Sequence, residues 1–63
     1  MKTTEALVEE YLGLIQPDAK YNSHKMYNDN LIIHYTFPGE IKSDIISISI
    51  LEYITFIFNK LSK

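Results

Sequence analysis

Two imidazoles and a carboxylate recur every ten residues in this chain, at His24, His34 and Asp44. Side chains of these types in a row could hold a zinc ion, or pair as a general base and the group that orients it. They meet only if two hairpins adopt particular registers. A three-residue turn over residues 28–30 sets His24 opposite His34, and a three-residue second loop sets Asp44 opposite His34. The apolar pattern, taken up below, opposes the second register. The plain alternative is a pair of surface histidines on an antiparallel sheet, so no metal and no cofactor is expected.

Other reactive patterns are not found. Ser47 and Ser49 lie outside any Gly-x-Ser-x-Gly elbow. The chain has no phosphate loop, dinucleotide fingerprint or HExxH run. An enzyme is not expected. Glu5, Glu9 and Glu10, with Asp18 beyond them, make the N-terminal segment acidic. Such a face can meet a basic patch on a protein, as inhibitors that mimic nucleic acid do. It is also what an ordinary solvated helix face looks like.

Sixty-three residues make one domain at most, residues 1–63. A core of that size roughly breaks even against chain entropy, and small scaffolds make up the difference with disulfides, metals or oligomerisation. There is no Cys, which removes disulfides and thiolate metal sites and fits a cytoplasmic location. Association with a second chain is the route left open. The N-terminus, Met-Lys-Thr-Thr-Glu, does not read as a secretory signal. The longest apolar-rich run, residues 45–58, is broken by Ser47, Ser49, Glu52 and Thr55, so no membrane span is expected. The net charge is −2 and Arg is absent, a poor footprint for nucleic acid.

The elements that would position these groups follow from periodicity. Leu7, Val8, Tyr11, Leu12 and Ile15 form one stripe at helical spacing, predicting a helix over residues 4–16. Thr3 or Thr4 can cap it, and Pro17 stops it. Gly13 inside this helix is either a tolerated weak residue or a point where another backbone comes close. Residues 21–27 fit a short edge strand, and Asn28-Asp29-Asn30 a turn. Residues 31–37 alternate, with Leu31, Ile33, Tyr35 and Phe37 on one side and Ile32, His34 and Thr36 on the other. Pro38-Gly39 marks a turn. In the next strand, residues 45–50, Ile46, Ile48 and Ile50 share a face.

Side-chain faces select the hairpin register. A six-residue loop over 38–43 sets Tyr35 opposite Ile46, Ile33 opposite Ile48 and Leu31 opposite Ile50, and keeps the apolar faces together. A three-residue loop sets Leu31 opposite Ser47 and mixes them. The longer loop is preferred. The fold class expected is α+β, in the order helix, two or three antiparallel strands, helix (α-β-β-(β)-α), with both helices on one face.

The last segment is the most apolar. Ser49-x-x-Glu52 has the form of a capping box that opens a helix. Beyond it, Tyr53, Phe56 and Ile57 share one side, while Leu51, Ile54, Phe58 and Leu61 form a second ridge. A helix with two apolar ridges needs burial on more than one side. That second ridge is the expected partner- or dimer-binding surface, unless it packs on the first helix.

The element order, helix, three strands, helix, resembles that of the double-stranded-RNA-binding domain. That family opens its second helix with a Lys-rich run that meets phosphates. The matching stretch here, Ser49-Ile-Leu-Glu-Tyr53, is acidic, and no residue carries over. The function expected is a small protein–protein interaction module, a homodimer. It has the style of phage or mobile-element inhibitors that bind and block a host protein such as a nucleic-acid enzyme. A nucleic-acid-binding module using Lys20, Lys25 and Lys42 is the alternative.

Overall fold

In the computed structural model, which describes residues 3–62, the order is α1 (Thr4–Ile15), β1 (Lys20–Tyr27), β2 (Asn30–Thr36), β3 (Ser43–Ser49) and α2 (Ile50–Leu61). The segment 21–27, predicted as a short edge strand, is therefore a strand. The three strands pair antiparallel in the order β1-β2-β3.

Helix α1 starts where its cap chemistry places it. The Thr3 hydroxyl accepts from the Ala6 N–H at 3.1 Å, and Glu5 sits in the positively polarised first turn. The helix ends one residue before Gln16, whose N–H still reaches the Leu12 carbonyl at 2.7 Å. Its stripe buries Val8, Tyr11 and Leu12. A Cβ at Gly13 would meet no atom within 4 Å, so no backbone approaches it within the protomer.

The first hairpin turns on two residues, not three. Asn28 and Asp29 are both left-handed, with φ of 54° and 63°, and Tyr27 pairs directly with Asn30. Two left-handed central residues give the tight turn whose twist matches the flanking strands. The register of β1 then shifts between Tyr21 and Ser23. This bulge turns both Tyr21 and His24 toward the helices, although they are three residues apart.

The second hairpin keeps the expected faces in a different register. Leu31 pairs with Ile48, Ile33 with Ile46 and Tyr35 with Asp44, a shift of two residues from the predicted pairing. An even shift leaves every side chain on its own face, so the apolar pattern cannot distinguish the two registers. The turn decides. Glu40 donates its N–H to the Phe37 carbonyl at 3.1 Å, and Gly39 takes φ +83° after Pro38. That closes a turn of the Pro-Gly kind immediately after Phe37 and lets pairing resume at Ser43.

Both helices pack on the same face of the sheet. The core beneath them is Val8, Tyr11 and Leu12 of α1 with Leu31, Ile33, Tyr35 and Ile48 of the strands. Tyr53 and Phe56 of α2 close over it, each ring against Tyr11, with centroids at 5.7 and 5.0 Å. The opposite face carries Ile32, His34, Thr36, Ile45 and Ser47 and has no covering layer among the described residues.

Candidate contact surface

Helix α2 begins at Ile50, one residue earlier than expected, because the strand stops at Ser49. Ser49 is the N-cap, but its hydroxyl accepts from the Leu51 N–H at 3.2 Å, one residue short of the Glu52 N–H that a capping box uses. The Ile50 N–H instead reaches across to the Asp29 carbonyl at 3.1 Å. The end of β3, the start of α2 and the first hairpin turn are thereby tied together.

At about 100° per residue, the helix divides into three arcs. Tyr53, Phe56, Ile57 and Lys60 are partly buried, and the first two pack on the core. The Lys60 ammonium pairs with the Glu10 carboxylate on the flank that faces α1. Glu52, Thr55, Asn59 and Ser62 make the polar arc; the hydroxyls of Thr55 and Ser62 donate to the Leu51 and Phe58 carbonyls, both at 2.8 Å. Between these arcs lies a ridge about 80° wide.

That ridge is Leu51, Ile54, Phe58 and Leu61, and it is exposed at 70%, 52%, 65% and 77% respectively. None of the twelve residues of α2 is fully buried. The protomer thus gives this helix one apolar interface, on the core, and leaves the other bare. It does not pack the second ridge on α1. Scattered apolar residues on a surface are ordinary, but four in a row on one helix form a patch.

The other predicted groups do not assemble. His24 pairs with Ile33 on the helix side of the sheet, whereas His34 pairs with Ile45 on the open side. Asp44 pairs with Tyr35, not with His34. The three candidate ligands are therefore split between two faces, and among the described residues no group of three His, Cys, Asp or Glu side chains is placed to hold a metal. His24 instead shares a hydrogen bond of 2.7 Å between its Nδ1 and the Tyr21 hydroxyl. Burial raises the pKa of Tyr21, and the nearby carboxylates of Glu5 and Glu9 raise it further. Glu5 and Glu9 are exposed on the β1 side of α1, and Glu10 turns toward α2, so the acidic residues occupy two flanks of the helix.

The open sheet face has a different character. Lys20 and Lys25 pair with Thr36 and Ile32, on the side of His34. Asp44, the one acid within the three strands, points the other way. A hollow of about 340 Å³ at the end of this face is lined by Lys20, Asn22, Thr36 and the turn from Phe37 to Glu40. Lys20 and Glu40 balance each other there.

Sequence reasoning missed the free edge of β3. The signal was present: residues 43–49 contain no Lys and no Pro, two of the residues that blunt an edge, and Asp44 is their one charge. No protein-family model, no curated protein and no solved structure significantly matches the chain. No helix of the described residues is long and apolar enough to cross a membrane.

Proposed function

We propose that this protein works by contact, as a small interaction module whose α2 ridge docks against another polypeptide. The observation that carries this is the bare ridge Leu51–Ile54–Phe58–Leu61 on an otherwise packed helix. Interface cores favour large apolar and aromatic side chains and avoid charge, and the ridge holds Phe58 among three aliphatics with no charged residue inside it. The mode of action that suits such a chain is to bind and block a host protein, such as a nucleic-acid enzyme, in the manner of phage or mobile-element inhibitors. A cytoplasmic location and a binding role, not an enzymatic one, belong to the same proposal.

The test is capture from an extract of the source organism with tagged wild type, Phe58→Glu and, as a control off the ridge, Ile41→Glu at a fully exposed loop position, all shown to be folded by circular dichroism. A protein retained by wild type and by Ile41→Glu, but lost with Phe58→Glu, supports the ridge. Retention by all three refutes it.

A second reading has its own observation. Lys20 and Lys25 share the open sheet face with His34, without a carboxylate from the strands. A single strand of nucleic acid could lie there. Two phosphate contacts to a single strand would give a log–log salt slope of about −1.4. A gel shift at low salt that weakens with that slope, and disappears in Lys20→Gln/Lys25→Gln, favours this reading.

A further inference from the structure

The ridge is flanked by a second unsatisfied feature. Strand β3 pairs with β2 on one side, and its other edge is open among the described residues. The two edges of the sheet differ. Edge strand β1 carries a bulge between Tyr21 and Ser23 and two lysines, Lys20 and Lys25, the devices that keep an edge from recruiting another strand. Strand β3 pairs in unbroken register from Ser43 to Ser49, with Asp44 as its one charge.

Both features lie on the same flank. Helix α1 contacts β1 and meets α2 through Tyr53, Phe56 and Lys60. Helix α2 contacts both β2 and β3. The ridge is on the side of α2 turned away from α1, and therefore on the side of the free β3 edge.

We propose that the chain pairs with a second copy of itself edge to edge through β3, setting the two Leu51–Ile54–Phe58–Leu61 ridges against each other. This rests on the reading of the ridge as a contact surface and names its occupant as a second copy, so a host protein reaches the ridge only by displacing that copy. A two-fold axis normal to the sheet makes the paired β3 strands antiparallel and keeps all four helices on one side. The spacing then fits. A helix that straddles β2 and β3 sits about half a strand spacing inside β3. Strands about 4.8 Å apart thus put the two α2 axes roughly 9.6 Å from each other. Packed helices lie 8–10 Å apart, the distance at which facing side chains interdigitate.

The ridge supplies more than half of the area such a contact needs. At about 200 Å² for a fully exposed large apolar residue, the ridge offers roughly 500 Å² per protomer. The seven residues of the β3 edge add to it. A stable interface needs about 800 Å² per partner. A ridge alone falls short of that, and an edge alone is polar; the same two-fold axis satisfies both. No basic or acidic residue of α2 lies within the contact, since Glu52 and Lys60 are on the other arcs.

The test uses the full chain in three measurements. Sedimentation equilibrium should give twice the 7.4 kDa protomer mass. Phe58→Glu, checked by circular dichroism, should weaken association at least about 100-fold, because the substitution enters a symmetric contact twice. Edge pairing has its own readout that no ridge-only dimer gives. The chain lacks Cys, so Ile45→Cys, Ser47→Cys and the double variant Ile45→Cys/Ser47→Cys on β3 report directly. With the two-fold axis beside residue 45 or 47 that residue faces its own copy, and with the axis beside Ile46, the midpoint of β3, residue 45 faces residue 47 of the copy, so at least one of the three variants should form a disulfide-linked dimer under mild oxidation. Ser23→Cys on β1 should not.

A wild type that stays monomeric up to millimolar concentration overturns the pairing. The capture experiment above then decides separately whether the ridge serves a different partner. A dimer that ignores Phe58→Glu, or that crosslinks through Ser23→Cys and through none of the β3 variants, overturns this mode of pairing. Should Phe58→Glu fail to fold, Phe58→Ser and the cysteine variants carry the decision.

Discussion

Alanine at Gly13 should stabilise the fold, and alanine at Gly39 should weaken it. The two sites are alike in packing: a Cβ built at either position meets nothing within 4 Å, so neither substitution creates a clash or a useful contact. They differ in backbone conformation. Gly13 lies in the interior of α1, on the side opposite the buried Val8, where glycine is disfavoured by about 0.8–1.0 kcal/mol relative to alanine. Gly39 holds φ +83°, where an L side chain is strained by roughly 1–2 kcal/mol. The expected difference between the two variants is therefore about 2 kcal/mol or somewhat more, roughly a 30-fold change in the folding equilibrium. In a chain of this size the whole stability is about 3–5 kcal/mol, so both changes are easily read. Urea unfolding followed by far-ultraviolet circular dichroism, with all variants at one protein concentration, measures them, since concentration itself shifts the stability of an associating chain. A destabilised Gly13→Ala would refute the reasoning about an open helix face. It would mean that a second backbone, absent from the protomer, lies against that residue.

Four further outcomes follow from particular contacts. Ile33 is fully buried at the centre of β2, so Ile33→Val should cost about 0.5–1.5 kcal/mol in the same denaturation assay. Ser49→Ala removes the hydroxyl that accepts from Leu51 and should cost about 1 kcal/mol, with the loss of helical signal concentrated in α2 by amide hydrogen exchange. Burial raises the pKa of Tyr53; it also raises Tyr11, with the Glu52 carboxylate adding to it, and Tyr21, with Glu5 and Glu9 adding. The unfolded chain releases these protons from its ordinary value near 10 upward while the folded chain still holds them, so stability should be full below pH 10 and fall as pH rises through the folded values. Tyrosinate absorbance during an alkaline titration, alongside melting temperatures, checks this. Zinc added in a calorimeter should release no heat of binding, because His24 and His34 lie on opposite faces; a saturable isotherm would contradict that placement.

What could be read from the residues alone was periodicity. The stripe of α1, the alternation from Leu31 to Tyr35 and the double ridge of α2 each depend on a local repeat and each appears, except that Ile15 at the end of the predicted stripe is exposed because the helix stops there, beyond the edge of the core. The strand face that packs under the helices was legible for the same reason. Turn geometry was not. Whether Asn28-Asp29 turns as a pair, and where pairing resumes after Gly39, depends on backbone angles that several residue types tolerate. Those two turns fix the registers, and the registers separate His24, His34 and Asp44. The bulge at Tyr21–Ser23 leaves no mark in composition, and so the Tyr21–His24 hydrogen bond could not be anticipated. The exposed ridge of α2 was more legible than the hairpin registers, because it needed only a helical repeat.

The unequal borders of the sheet have a consequence for growth. A flat molecule with two adhesive borders adds neighbours without end and builds fibrils. Here the kink and the lysines of β1 leave one border unreceptive, while β3 stays regular. If β3 pairs with a second copy as proposed, lateral growth ends at two protomers, because each then shows only its blunt side.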